Sequence, residues 1–225
     1  RTFEYSYRTF ESYFGPIYYS LNKGNAHYIV LDNCFYVNRD YQYIGYIDER
    51  TFQWLEKDLS YVPKDKLVFV VMHIPSSLQK KQDETVNTAA LYKLLEGYNA
   101  HIISGHTHFN VNVCFNDSLM EHNTAAVCGT WWRADINVDG TPRGYGVYEV
   151  DGNQVKWLYK SAGYPKGHIR PDHLTSTLPI LLLTYGTGMN SGKWNGMKTE
   201  SEWEKCNATK DMILQPKQSV LTKKR

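Results

Sequence analysis

Two apolar runs in the middle of the chain each lead into histidines. The first run covers residues 67–72 and leads into His73, and the second covers residues 101–104 and leads into His106 and His108. Short runs rich in Val, Ile and Phe predict buried strands of a parallel or mixed sheet. The carboxyl ends of such strands lie at one edge of the sheet, where open α/β folds bind their ligands. The sequence therefore predicts that these three histidines converge at that edge.

The residue types at this edge indicate a metal site. Imidazole is the commonest side-chain ligand of transition metals. His106 and His108 are two residues apart, so in an extended segment both side chains point to the same side. Gly105 is predicted to let the backbone turn sharply before this pair, and Pro75 to end the strand that leads to His73. A single His-x-His pair is often only a surface pair, but the combination predicts a metal site.

The same segments carry a resemblance to a known family. Val71-Met72-His73-Ile74-Pro75 and Ser104-Gly105-His106-Thr107-His108 resemble the last two signatures of the calcineurin-like metallophosphoesterases, of which the final one is G-H-x-H. Four flanking stretches resemble a bacterial, Bacteroides-type branch of secreted members, namely residues 14–20, 28–33, 128–132 and 139–148. The resemblance covers roughly residues 1–166. It implies an α/β (α+β) fold, the second half of an αββα sandwich with mixed sheets.

The resemblance also implies a chemistry. Members of this family hydrolyse phosphomonoesters or phosphodiesters with two divalent metal ions, Mn, Fe or Zn, bridged by an aspartate and a hydroxide. By this resemblance His73 and His106 would bind the second metal, and His108 the first. Substrate-side residues of the family often lie near the position of His122, although a structural role for this histidine is equally open. Asn33 ends a buried strand and is the other candidate for a substrate contact.

The first three family signatures, D-x-H, G-D-x-x-D and G-N-H-D, do not occur in this sequence. We therefore expect the bridging aspartate, the other ligands and the proton-donating histidine to lie upstream, which would make this chain a fragment without a catalytic residue of its own. Three neutral imidazoles offset none of the charge of two cations. At most one ion is expected to bind weakly here, since three protein ligands and a water suffice for zinc.

Composition sets outer limits on the partners. The 225 residues carry a net charge of +2 with a pI near 8.2, which is too balanced to indicate a nucleic-acid partner. The partner that the resemblance implies is a phosphoester substrate. The four cysteines lack Cys-x-x-Cys spacing, which argues against a zinc ribbon or a redox motif. The apolar run 178–183 is too short to span a membrane. The localisation stays unknown, because the related enzymes are periplasmic or secreted but no signal segment is visible in this chain.

Periodicity and turn residues predict the order of the elements. Asp48 is predicted to cap a helix over residues 48–59, and Gly97 to end a helix over residues 88–95. Asp151-Gly152 is predicted to be a hairpin turn. The other predicted elements are a partly helical segment at residues 3–13 and strands at residues 18–21, 27–32, 111–115, 124–128, 146–150 and 155–159.

The chain divides into two predicted parts. Residues 1–166 are predicted to be the C-terminal part of the phosphoesterase domain, and residues 167–225 a tail in which the periodic pattern dissolves. Shifting the reading frame back by one nucleotide over residues 182–217 permits a sequence that resembles the C-terminal domain of these enzymes. The tail is therefore interpreted as a frameshifted form of that domain. A divergent linker or a β-rich appendage is the alternative.

Two other classes of function stay open at this point. A mononuclear zinc hydrolase of the amidohydrolase type also uses His-x-His. It normally places that pair near the start of a barrel and follows it with a Lys, His and Asp series, which is not found here. The other class is a non-enzymatic, sheet-rich binding module with incidental histidines. The metal content of the purified chain separates this module from both enzymes.

Overall fold

The computed structural model describes residues 3–37, 42–77 and 84–163. The predicted tail, residues 167–225, lies outside the described residues, so the frameshift interpretation stays a prediction. The helices are α1 (Phe3–Phe14), α2 (Glu49–Leu59) and α3 (Thr88–Leu95). The strands are β1 (Tyr19–Lys23), β2 (Ala26–Val30), β3 (Cys34–Tyr36), β4 (Tyr43–Gly45), β5 (Leu67–Val71), β6 (Asn99–Ser104), β7 (Val111–Asn116), β8 (Leu119–Asn123), β9 (Gly144–Asp151) and β10 (Gln154–Ser161).

Six of these strands form a mixed sheet in the order β1-β2-β5-β6-β8-β7. The four central strands β2, β5, β6 and β8 are parallel to one another, and the edge strands β1 and β7 pair antiparallel with β2 and β8. The pairs β3–β4 and β9–β10 form separate two-stranded sheets. The predicted mixed α/β class is therefore confirmed.

The side chains of β5 alternate between two cores. Val68 and Val70 belong to the core that the sheet shares with α2 and α3. Leu67 and Phe69 belong to the core on the opposite face, which the hairpin β9–β10 covers. A strand that is covered on both faces is apolar along its whole length, and this explains the uninterrupted run in the sequence. The layers are thus helices, sheet and hairpin.

The two helices of the first core have the bounds that local signals predict. The Asp48 carboxylate accepts hydrogen bonds from the backbone N–H groups of Arg50 (2.7 Å) and Thr51 (3.0 Å), so it caps α2 as predicted. Helix α3 ends at Leu95, and Gly97 follows with a φ of +82°. None of the helices within the described ranges is long and apolar enough to cross a membrane.

One predicted strand is wrong. Residues 124–128 do not form a strand, and the chain instead enters the sheet earlier, as β8. After Asn123 the chain leaves the sheet, and the backbone N–H of Ala126 donates to the side chain of Asn137 at 2.9 Å. Strand β8 contains Glu121, His122 and Asn123, which are polar but buried. A pattern search for apolar runs passes over such a strand.

Candidate metal centre

The turns after β2, β5 and β6 lie at one edge of the sheet because these strands pair in parallel. Val30 of β2 is paired with Val71 of β5, which is paired with Ile103 of β6. His73 follows the end of β5 by two residues, and His106 follows the end of β6 by two residues. The first two predicted ligands therefore lie at the same edge, on neighbouring strands.

His73 and His106 approach each other closely through their ring nitrogens. Nε2 of His73 lies 3.3 Å from Nδ1 of His106, and the two rings meet edge-on. Two nitrogens that bind the same tetrahedral zinc ion, each at about 2.0–2.1 Å, lie about 3.3 Å from each other. The pair therefore fits a single ion.

The electrostatics of His73 favour the form that binds metal. Burial lowers the pKa of His73, and the neighbouring His106 and His108 lower it further, while Asp32 acts in the opposite direction. A lowered pKa keeps the imidazole neutral at pH 7, and the neutral ring has a lone pair for a cation.

His108 faces a different group from the other two histidines. Its Nδ1 lies 3.1 Å from the carbonyl oxygen of Gly129, and its ring packs against Trp131. A carbonyl can only accept, so Nδ1 carries a proton, and in the neutral ring the lone pair is then on Nε2. Metal-bound histidines commonly donate to a backbone carbonyl in this way. Even so, within the described ranges no three His, Cys, Asp or Glu side chains form a group that could hold a metal ion.

The backbone of this turn differs from the prediction. Strand β6 ends at Ser104, so the two-residue alternation of a strand does not apply to His106 and His108. These two histidines adopt left-handed backbone conformations, with φ values of 69° and 57°. Gly105, which directly follows the strand, does not have a positive φ, so the left-handed part of the turn lies at His106 and not at the glycine. Non-glycine residues in this region are uncommon, and they cluster at functional sites.

Asn123 holds the turn that carries His106. Its Nδ2 donates to the carbonyl oxygen of Gly105 (2.5 Å) and to Oγ of Ser104 (3.1 Å). Its Oδ1 accepts a hydrogen bond from Oγ1 of Thr107 at 2.5 Å. Asn123 is buried at the end of β8, the strand beside β6. The left-handed turn is thus fixed from the neighbouring strand.

The two predicted substrate contacts lie inside the protein. Asn33 and His122 are each 1% exposed. Nδ1 of His122 lies 2.7 Å from Oδ1 of Asn112, and Nε2 lies 2.9 Å from Nδ1 of His101. The ring of His122 also packs against Trp157. Their roles as substrate contacts stay predictions, and the observed contacts of both residues are with buried protein groups.

Asp32 is a residue of this edge that the sequence patterns did not identify. Asp32 lies two residues after the end of β2, and His73 lies two residues after the end of the paired strand β5. The charge of Asp32 raises the pKa of His73. Its Oδ1 accepts a hydrogen bond from the backbone N–H of Cys34 at 3.0 Å. Asp32 could have been identified from its position directly after an apolar strand, which is the same feature that identified His73.

Comparison with known proteins found one family model that matches part of the chain. Residues 121–176 match the family model described as the C terminal of calcineurin-like phosphoesterase, a range that covers less than half of the chain. None of the curated proteins matches. Among solved structures, the crystal structure of 5'-nucleotidase from Candida albicans SC5314 is similar over 49% of this chain and 21% of its own, with 13% identity and a TM-score of 0.34. That likeness is weak.

Proposed function

We propose that this chain is part of a metal-dependent phosphoester hydrolase, in which His73 and His106 bind one divalent cation. The 3.3 Å separation of their ring nitrogens carries the proposal. His108 would bind the other ion of a two-metal centre through Nε2. The match of residues 121–176 to the calcineurin-like phosphoesterase model supports the phosphoester class of substrate. We also propose that the chain belongs to the Bacteroides-type branch, on the basis of the flanking segments that resemble it. Membership of that branch implies a periplasmic or secreted enzyme.

The residues at this edge supply part of such a centre. A bound pair of divalent cations would provide a hydroxide nucleophile and stabilise charge on the phosphoryl oxygens. His73 and His106 would hold neutral nitrogens in place, and the bond from His108 to Gly129 would fix the ring orientation of His108. Neutral imidazoles contribute no negative charge and no bridging oxygen, and within the described ranges no carboxylate joins them in a group that could hold a metal ion. We therefore propose that the chain by itself does not complete the centre and that Mn, Fe or Zn binds weakly.

Metal binding by the full chain tests the proposal. We expect titration with Zn²⁺ or Co²⁺ to show one weak site, and His73→Ala and His106→Ala each to weaken it by roughly 10-fold or more, because each removes a ligand. His27→Ala is the matched control, because this buried histidine bonds Asp58 and Asn22 at the opposite end of β2. Isothermal calorimetry and the Co²⁺ absorption spectrum measure the binding.

The outcomes separate the classes of function. A chain that binds neither ion would overturn the metal-centre proposal and favour the binding module. Equal affinities for the parent chain and His73→Ala would show that the ion binds elsewhere. Hydrolysis of p-nitrophenyl phosphate by the chain alone is expected to be negligible. Robust turnover that is lost in His106→Ala would contradict the proposal that the centre is incomplete.

A further inference from the structure

The side chain of Asn33 uses its full hydrogen-bonding capacity on the turn that carries His73 and on Thr85. Its Oδ1 accepts from the backbone N–H groups of His73 and Ile74, both at 3.1 Å. Its Nδ2 donates to the carbonyl oxygen of Ile74 (2.6 Å) and to Oγ1 of Thr85 (2.8 Å). An asparagine amide offers two donors and two acceptor positions, so all four are used.

This hydrogen-bond cluster is buried. Asn33, Ile74 and Thr85 are almost completely inaccessible to solvent. Oγ1 of Thr85 also donates to the carbonyl oxygen of Ile74 at 3.1 Å, so Thr85 supports the same peptide group. Loss of the Asn33 amide would leave the N–H groups of His73 and Ile74 without their acceptor, and the buried N–H of Ile74 is costly to leave unpaired.

The other side of the His73 peptide is tied to the turn of His106. The backbone N–H of Gly105 donates to the carbonyl oxygen of His73 at 3.0 Å. The amide nitrogen of His73 is thus held by Asn33, which follows β2, and its carbonyl oxygen is held by Gly105, which follows β6. With the main chain fixed at both ends, the His73 ring has few ways to meet Nδ1 of His106.

We propose that Asn33 is a positioning residue for the metal pair: its side chain sets the place of the His73 imidazole relative to His106. This inference rests on the proposed function, since it assigns Asn33 to the geometry of the same site. It differs from the predicted substrate contact, because Asn33 acts through the main chain of His73. Thr85 assists by holding the amide group of Asn33.

Asn33→Leu tests this inference, because leucine has nearly the same shape but makes none of the four hydrogen bonds. We expect its affinity for Co²⁺ to fall roughly 10–100-fold, the usual effect of removing a group that orients a ligand. Thr85→Val removes one hydroxyl and should show a smaller loss. In the metal-free protein, the ¹⁵N and ¹H signals of the His73 and His106 rings, assigned with His73→Ala, should shift in both variants.

Asn87→Leu is the matched control. Asn87 holds a peptide in the same manner, since Oδ1 accepts from the N–H of Ile47 (3.1 Å) and Nδ2 donates to its carbonyl oxygen (2.7 Å). This variant should lose stability in thermal unfolding but keep the parental Co²⁺ affinity and ring signals. A merely structural role for Asn33 would make the two leucine variants behave alike.

Further outcomes keep the two proposals apart. Parental Co²⁺ affinity and unchanged ring signals in Asn33→Leu would overturn the positioning role and leave the metal proposal intact. A parent chain that binds no ion would overturn the proposed function, and the ring signals alone would then decide the role of Asn33. Should Asn33→Leu not fold, Thr85→Val decides by the same two measurements.

Discussion

Glu121 lies fully buried in β8, where serines surround its carboxylate. Oε1 accepts from the N–H of Ser76 (2.9 Å) and from Oγ of Ser104 (2.6 Å), and Oε2 accepts from Oγ of Ser76 (2.6 Å) and the N–H of Ser77 (3.2 Å). Burial raises the pKa of Glu121, while the hydrogen bonds from Ser104 and Ser76 act against that rise. One side chain thus ties the segment after His73 to the end of β6.

Replacement of Glu121 by leucine should therefore be costly. The variant leaves two backbone N–H groups and two hydroxyls buried without their acceptor, so we expect the free energy of unfolding to fall by about 3 kcal/mol. Urea denaturation measures this change. The control is Glu56→Leu on the exposed face of α2, where the change should stay within about 0.5 kcal/mol. Similar losses in both variants would contradict the structural role of Glu121.

The hairpin β9–β10 is the element that closes the second face of the sheet. Its strands pair from Gln154↔Asp151 to Ser161↔Gly144, and Gly152 at its turn has a φ of +56°, as the Asp-Gly pair predicts. Val155 and Trp157 belong to the core on this face. Nε1 of Trp157 is buried and has no hydrogen-bond partner among the described residues.

Two substitutions of Trp157 should separate packing from polarity. Trp157→Ala removes the ring from the core and is expected to cost about 3–5 kcal/mol of unfolding free energy. Trp157→Phe keeps an aromatic ring and removes the unpaired N–H, whose burial carries a penalty of about 1–3 kcal/mol, so its loss should be much smaller. Urea denaturation checks both, with Trp132→Ala as the control because Trp132 is 82% exposed. Equal losses for the two Trp157 variants would refute this account.

At the scale of the whole molecule, buried histidines link folding to pH. Burial lowers the pKa of His101 to about 4, and burial together with His101 lowers the pKa of His122. These rings contact each other, with Tyr148 and Trp157 around them. Below the ordinary histidine pKa of about 6.5, the unfolded chain takes up protons that the folded chain does not, so folding weakens as the pH falls.

The pH range over which stability should change follows from the directions of these pKa shifts. Stability should fall as the pH is lowered from about 6.5 towards 4. Glu121 acts with the opposite sign, since its raised pKa favours the folded state at low pH. Guanidinium denaturation of the parent and of His101→Phe across this range measures the histidine contribution. The variant should have lower stability at pH 7 but a shallower pH dependence, and identical slopes for the two proteins would exclude His101 as the cause.

Elements with local signals could be predicted from the sequence. Asp48 caps α2, Gly97 follows α3, and the apolar runs become β5 and β6, because caps, breakers and periodicity act within a few residues. The placement of His73 and His106 at one edge also followed from the sequence. Two neighbouring parallel strands leave little choice about where their carboxyl ends lie.

Features that need a partner from a distant part of the chain could not be predicted from the sequence. Strand β8 holds Glu121 and His122 in the core only because Ser76, Ser104, His101 and Asn112 come from other parts of the chain to bond them. No local pattern marks such a strand, because burial of a polar side chain depends on partners that folding supplies. The contacts of Asn33 with the His73 turn, 40 residues away, arise in the same way.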